Sequence, residues 1–502
     1  MMSVGVMHTA LLALALSMPA AAGAQSPAVP APPGGAPVPV EPAAPPAPTV
    51  DVVPPPESLV VPGSTVQPVL SAPAVSSANV PQDMGPESAP FVGPPAPPGT
   101  GAPVALNADG KLDLVESYQL GRQNDPTFRA AVAERQFNRA TADQTLSAVL
   151  PSANYSLQNI PTESGTRQVV SVTQPLVSVS GLATFRQRKP RRAFAEATFE
   201  VRDQDLASRT LTAIVDIIRA TEASALNEAR IDALNAQAQR ANRLYEAGLG
   251  TVTDAREIQV RYEQALANRI LLNSDQLAAE ARFRSITGVD PSPEDFRLPE
   301  RQGFIRLEPV DQYIAEQSRQ NPQVAAARQT ERINELEAQR ARGALFPVLG
   351  GTATYSNRNG QSDSYVGLSI SAPINAGAFY QAGAARASVQ RSLEERRQVE
   401  ERARTELERF HALVSGGQEA LQINAKAIAA AELSVEANSK SYEGGVRTSV
   451  DVVNAIQTVF EVKNTYVTAA TQLAINYLNV QLLAGVPTED AMRATQAFLL
   501  AR

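Results

Sequence analysis

The sequence predicts a mainly α-helical chain with a small β part, folded as two tandem repeats. Three observations predict it. Tyr245–Gly288 begins YEAGLGTVTDA and ends SITG, and Tyr442–Gly485 begins YEGGVRTSVDV and ends LLAG; the two stretches align without a gap at a separation of 197 residues. Gly181–Leu244 and Ala378–Ser441 are long helical patterns that contain one proline between them, Pro190. Four short segments, two in each copy, alternate apolar and polar residues with the period of a half-buried strand. A repeat this long is a duplicated half-structure, not a short solenoid unit.

The chain opens on a pattern of export. Ala10–Met18 is a short apolar run, and Ala22-Gly23-Ala24 is a small-x-small cleavage site before Gln25, so residues 1–24 read as a signal peptide. No Lys or Arg precedes the run, and Met7 is a candidate start. Residues 25–108 form a Pro/Ala-rich segment expected to be disordered. Within it, Gln25–Asn107 holds 24 of the chain's 38 prolines and no Lys or Arg. A spacer and an unselected leader fit this composition equally well.

Composition excludes several classes. With no cysteine there is no disulfide, thiolate metal site, thiol nucleophile or acylated N-terminal Cys. Only His8 and His411 could offer imidazole, so no metal is expected. A net charge of −7 argues against a nucleic-acid partner. No phosphate loop or catalytic cluster is visible, so neither a cofactor nor an enzyme is expected. No apolar stretch reaches the length of a membrane-spanning helix.

The folded part is expected as copy one over 109–301 and copy two over 302–502. Leu112–Gln123 reads as a short helix ending at Asn124-Asp125-Pro126, and Pro126 suits the first turn of a second helix running to about Leu150. Asn321-Pro322 repeats this start, and both prolines stand 25 residues before the next one, Pro151 or Pro347. Strands follow. Ala153, Tyr155 and Leu157 alternate with polar residues, as do Val170 and Val172. In copy two, Leu349–Ser356 and Val366–Ser371 alternate more cleanly about a turn at Asn359-Gly360.

The two long helices would each span on the order of 90 Å at ~1.5 Å per residue. Gly-bearing turns lead into return helices, Thr251–Thr287 and Thr448–Leu483, with Ser, Thr and Asp at the helix starts. Val399, Ala403, Leu407, Phe410 and Val414 are spaced 4, 4, 3 and 4, and the last four form a heptad-like seam. The Glu- and Arg-dense stretch Arg391–Arg409 reads as a solvated face with intrahelical salt bridges. Gly416-Gly417 marks either a bend or a close helix contact. The Pro- and charge-rich stretch Val289–Pro309 links the copies.

Four strands cannot close a membrane barrel, which needs about 8 or more. An open sheet in lipid would leave unpaired edges at several kcal/mol per group. If these strands enter a bilayer, several chains must therefore share one barrel. Two ordinary hairpins packed on soluble helices are the alternative.

The ordered combination resembles the TolC-like outer membrane efflux and secretion proteins. The tips Gly248-Leu249-Gly250-Thr251-Val252-Thr253-Asp254 and Gly445-Val446-Arg447-Thr448-Ser449-Val450-Asp451 carry the resemblance. So do the Asn-Pro helix starts, Pro151 and Pro347, and the strand ends Gln174-Pro175-Leu176 and Ala372-Pro373-Ile374. It covers the chain from Leu112 onward. It implies a homotrimer in the cell outer membrane with a periplasmic extension. Three sets of four strands would form one shared transmembrane β-barrel, and the long helices an α-helical barrel. A periplasmic adaptor would dock on the tips and join the duct to an inner-membrane pump, ABC-type or proton-driven.

The resemblance also implies residue roles. Asp254, Tyr442 and Arg447 match the links that hold the periplasmic gate closed. Asp451 matches an acidic ring in the pore, while the next ring position holds Asn454 in place of an acid, so the constriction should be less negative. Gly248, Leu249, Thr251, Gly445, Val446 and Thr448 match the adaptor-docking tips. Ordinary helix capping, surface charge and helix termination would account for the same residue types. A periplasmic coiled-coil scaffold or adaptor without a membrane barrel is the competing expectation.

Overall fold

The computed structural model describes residues 112–159, 166–248, 250–292, 295–299, 302–358, 361–372 and 376–500. The expected export signal and Pro/Ala-rich segment lie outside the described residues, as do the Asn359-Gly360 turn, Pro373, Ile374 and the tip residue Leu249.

The first copy runs α1 (Leu114–Asn124), α2 (Pro126–Gln144), β1 (Ser152–Asn159), β2 (Thr166–Val177), α3 (Val179–Arg186), α4 (Arg188–Glu246) and α5 (Val252–Thr287). The second runs α6 (Val310–Gln320), α7 (Pro322–Gly343), β3 (Val348–Arg358), β4 (Gln361–Ser371), α8 (Ala376–Glu443) and α9 (Ser449–Ala484), and α10 (Thr488–Leu499) follows. Local chemistry sets the starts. Asp113 caps α1 in a reciprocal box with Glu116. Asp125 accepts the backbone N–H groups of Thr127 and Phe128 at 3.2 Å, ahead of Pro126. Asn321 does the same for Gln323 and Val324 at 2.9 and 3.1 Å, ahead of Pro322.

The four strands form one antiparallel sheet in the order β1-β2-β3-β4. Its register sorts the side chains. Ala153, Val172, Ala353 and Val366 stand directly opposite one another across the four strands, and Tyr155, Val170 and Tyr355 make the neighbouring row. Directly opposed residues share a face, so the apolar members of all four strands line one side. The other side carries Asn154, Ser171 and Thr354 in one row and Ser152, Thr173 and Thr352 in another. The apolar side is bare: Val366 is 86 % exposed, Leu368 75 % and Ile370 76 %. Among the described residues β1 and β4 each leave an unpaired edge.

The helices meet the expectation of length and refine its detail. α4 has 59 residues and α8 has 68. At ~1.5 Å per residue they span about 90 and 100 Å. The first long helix, expected from Gly181 with Pro190 as the one interruption near its start, is divided at Gln187 between α3 and α4. Pro190 supplies no N–H for the Arg186 carbonyl, so the break falls one turn before it. α2 stops at Gln144, short of Leu150, and a 3-10 turn over Thr145–Ala148 leads to β1. The strands have 8, 12, 11 and 11 residues.

α8 runs unbroken through Gly416-Gly417. A Cβ at Gly417 would meet Leu473 Cδ1 at 3.1 Å, so this glycine serves a close contact between α8 and α9, not a bend. On the α8 seam Ala403, Leu407 and Val414 are buried. Arg404 pairs with Glu408 at 3.0 Å and Arg397 with Glu394 at 3.0 Å within the helix, as the charge pattern implied. Arg396 also reaches Glu331 of α7 at 2.5 Å.

The main core lies where α4, α8 and α9 meet α1 and α10, around Leu206, Leu211, Ile214, Leu407 and Leu473. Val289–Pro309 is more than a link. Its Phe296 is buried edge-on against Phe283, with ring centres 5.5 Å apart, and Ile305 is buried as well. α5 and α9 both end on left-handed glycines, Gly288 (φ 76°) and Gly485 (φ 89°). Beside these ends, the side-chain amide of Asn124 donates to Thr287 O at 2.6 Å, and that of Asn321 to Leu483 O at 2.9 Å. A Cβ on Gly485 would stand 2.5 Å from Gln320 Cβ and 2.7 Å from its carbonyl carbon. Gly485→Ala is therefore expected to cost about 1–3 kcal/mol. Gly416→Ala, with open space at its Cβ position, is expected to gain about 0.5–1 kcal/mol from helix propensity. Thermal unfolding followed by circular dichroism checks the opposite signs.

Candidate functional site: the two helical tips

Each long helix turns back through a glycine-bearing tip. At the first tip Gly248 takes φ 68° and its N–H donates to Tyr245 O at 3.0 Å. At the second, Gly445 takes φ 69° and its N–H donates to Tyr442 O at 3.0 Å. Among the described residues neither glycine has a neighbour where a Cβ would stand, so both serve the backbone turn.

Return helices begin on capping threonines. Thr251 Oγ1 accepts the Asp254 N–H at 3.1 Å. Thr448 Oγ1 accepts the Asp451 N–H at 3.3 Å, and Asp451 Oδ2 accepts the Thr448 N–H at 3.0 Å and its hydroxyl at 2.9 Å. The two Thr448 hydrogen bonds hold the Asp451 carboxyl below the usual Asp range, and Arg447 adds to the fall. Asn454 is exposed one turn along α9. Val446 is 81 % exposed at the end of its tip.

The sequence-named charged and phenolic residues fall into two pairs. Burial pushes the Tyr442 phenol up, the Asp254 carboxylate adds to the rise, and Arg240 opposes it. Tyr442 of α8 and Asp254 of α5 are thus within electrostatic reach inside one chain. Arg447 instead faces Asp451 of its own hairpin, at 3.9 Å, where both side chains are exposed and the attraction is weak. A direct bridge between the hairpins comes from residues the sequence reading did not name: Arg240 Nη2 of α4 meets Glu443 Oε1 of α8 at 2.6 Å. Within the repeat, Arg240 corresponds to Ala437 in copy two and Glu443 to Glu246 in copy one, so the bridge has no counterpart at the equivalent positions.

Behind the tips a small core holds α4, α5 and α9 together through Ile231, Leu234, Ile258 and Val453. Above it the links turn polar. Asn227 donates to Ala265 O at 3.0 Å, and Arg230 reaches Gln457 of α9 at 3.0 Å. The tips therefore rest on a thin apolar layer with hydrogen-bonded seams. Such a base can shift between arrangements without unfolding its helices.

The profile of the family described as "Outer membrane efflux protein" matches residues 117–289 and again 314–486. This chain belongs to that family. Both matches are displaced by the same 197 residues as the sequence repeat. Among curated relatives, the alkaline protease secretion protein AprF of Pseudomonas aeruginosa is 26 % identical over 423 residues, covering 77 % of this chain and 87 % of AprF. Outer membrane protein TolC of Escherichia coli is 23 % identical over 430 residues, covering 76 % and 84 %. The proteases secretion protein PrtF of Dickeya chrysanthemi is 26 % identical over 429 residues, covering 77 % and 91 %. The fold matches the outer membrane protein VceC of Vibrio cholerae with a TM-score of 0.63 at 14 % identity, over 75 % of this chain and 96 % of VceC. It also matches the Campylobacter jejuni CmeC outer membrane channel with a TM-score of 0.64 at 13 % identity, over 78 % and 90 %. The family member described here is thus an outer-membrane channel protein of the efflux and secretion class.

Proposed function

We propose that this family member is the passive exit duct of a tripartite efflux or type I secretion system. Three chains share one β-barrel through the outer membrane and one helical barrel across the periplasm. The observation that carries this reading is the sheet: one apolar face left bare, one polar face and two unpaired edges, all mounted on helices about 90–100 Å long. A lone sheet of this kind cannot rest in lipid, whereas a ring of such sheets hides every edge. The same bare apolar face disfavours a soluble coiled-coil scaffold.

In this duct the tips are the periplasmic gate. Tyr442, Asp254 and Arg447 lie at the closure with Arg240–Glu443 beside them, and Asp451 supplies the acidic ring that Asn454 leaves undoubled. Gly248, Leu249, Thr251, Gly445, Val446 and Thr448 form the surface on which an adaptor docks, and an inner-membrane pump drives transport. Two relatives are named for protease secretion, which supports the secretion arm. Purified in mild detergent, the protein is expected as a trimer that forms pores in planar bilayers. A strictly monomeric species without conductance would overturn the proposal.

Asp451 gives the pore a pH signature. A carboxyl held below its ordinary value of about 3.9 keeps its charge as pH falls through that value. Cation preference, read as reversal potential in a salt gradient, is expected to stay constant from neutral pH to about 4 and to collapse only below it. Asp451→Asn should remove the Asp451 share of that preference at every pH. A midpoint near 6 would assign the selectivity to another group.

A further inference from the structure

The junction between sheet and helices carries a charge feature that the gate does not use. Residues 178–192 hold five cations and no acid, in a chain whose net charge is −7. Three of the five are engaged: Arg188 and Arg192 pair with Asp143 at 2.8 and 2.5 Å, and Arg191 bonds Gln187. Arg186 and Lys189 are exposed and make no ion pair among the described residues. The same holds for Arg342 at the end of α7 and Arg386 near the start of α8.

Three of these cations have a bare aromatic side chain on the side nearer the sheet. Phe185 precedes Lys189 by four positions, Phe379 precedes Arg386 by seven, and Phe346 lies four beyond Arg342 toward β3. Phe185, Phe346 and Phe379 are all exposed. Phe379 and Arg386 share a face of α8, about 10 Å apart along its axis, whereas Phe185 and Lys189 stand on either side of the break at Gln187 and Phe346 lies just past the end of α7. Rings next to an apolar sheet face, with cations one or two turns farther out, match the layers of a bilayer surface: acyl chains, interface, phosphate. A long Lys or Arg stem can lie along the interface while its head reaches a phosphate.

We propose that Arg186, Lys189, Arg342 and Arg386 form a basic collar that gathers anionic phospholipid in the leaflet facing the periplasm. The inference rests on the membrane placement of the sheet given above. Charge complementarity and continuity with the apolar sheet face select lipid as the occupant.

The chain contains no tryptophan, so Phe346→Trp creates a single fluorescent reporter at the collar. The full protein with this reporter is placed in nanodiscs of phosphatidylethanolamine and phosphatidylglycerol, with one or the other lipid brominated as a quencher. The collar predicts that brominated phosphatidylglycerol quenches severalfold more than its mole fraction accounts for. The enrichment should fade in about 1 M salt, where the screening length falls to ~3 Å. Replacing all four cations by Gln should bring quenching to the bulk ratio, while Arg186→Lys, Arg342→Lys and Arg386→Lys together should preserve it. Equal quenching by the two lipids, or enrichment that survives the Gln variant, would overturn the collar. So would loss of enrichment in sodium phosphate but not in sodium chloride of equal ionic strength, which would mark a soluble-anion site. Trimer loss in the Gln variant with unaltered lipid ratio would place the cations against a neighbouring subunit instead. No quenching by either lipid would fault the membrane placement itself, which conductance tests separately.

Discussion

Arg447→Ser combined with Arg240→Ala is expected to raise the resting conductance of the reconstituted pore by about ten- to a hundredfold. Both cations stand at the tips, Arg240 bridging α4 to Glu443 of α8 and Arg447 facing Asp451. Their side chains are exposed, so one link contributes only about 0.2–1 kcal/mol. In a trimer that opens as a unit, three copies act together. A total near 1.4–2.8 kcal/mol shifts the open population by the stated factor. The double variant should exceed either single one, because the bridge ties α8 to α4 while Arg447 stands at the proposed gate on the same hairpin. Arg404→Ser, which removes an intrahelical pair with Glu408 elsewhere on α8, is the control and should leave conductance unchanged. Single-channel recording at low voltage reads the four variants against the wild type. A double variant as quiet as the wild type would show that closure is held elsewhere, with the Asn227 and Arg230 seams next in line.

Val366→Arg is expected to abolish the trimer. Val366 sits at the middle of β4, in a row that is apolar on every strand. A lipid-facing Arg at the bilayer midplane costs about 2–4 kcal/mol, and the ring would carry three of them. Thr354→Arg sits on the opposite side of the same sheet, facing Ser171 and Tyr365 across its ladder. It should assemble and shift ion selectivity instead. Gel mobility of unheated samples and bilayer recordings separate the outcomes. If Thr354→Arg fails while Val366→Arg assembles, the sheet is turned inside out relative to the proposed barrel.

Much of this architecture was readable from residue order. Helix length followed from two nearly proline-free tracts, and the tips from glycines placed just before capping threonines. Strand alternation gave four strands, and the repeat paired them two by two. Their union into one sheet was not legible, because the β2–β3 pairing joins residues far apart in sequence, such as Val172 with Ala353. The division at Gln187 depended on the consequence of a single missing N–H. α10 went unread, although Thr488-Glu489-Asp490 is an acidic first turn and Met492, Thr495 and Phe498 recur at helical spacing on its buried face. At the tips the sequence supplied Tyr442 and Asp254 but not Arg240. A salt bridge between distant segments leaves no periodic trace.

The unpaired margins of β1 and β4 also say something about how such a duct comes into being. A newly exported copy would carry two bare margins whose safe partner is another copy of itself. Escort proteins that blunt those margins should limit the yield of finished ducts. A chain with a crippled outer strand should also spoil its healthy siblings. Each closed ring needs every seam, so one defective member leaves a gap, and the harm should be dominant in cells that make both forms.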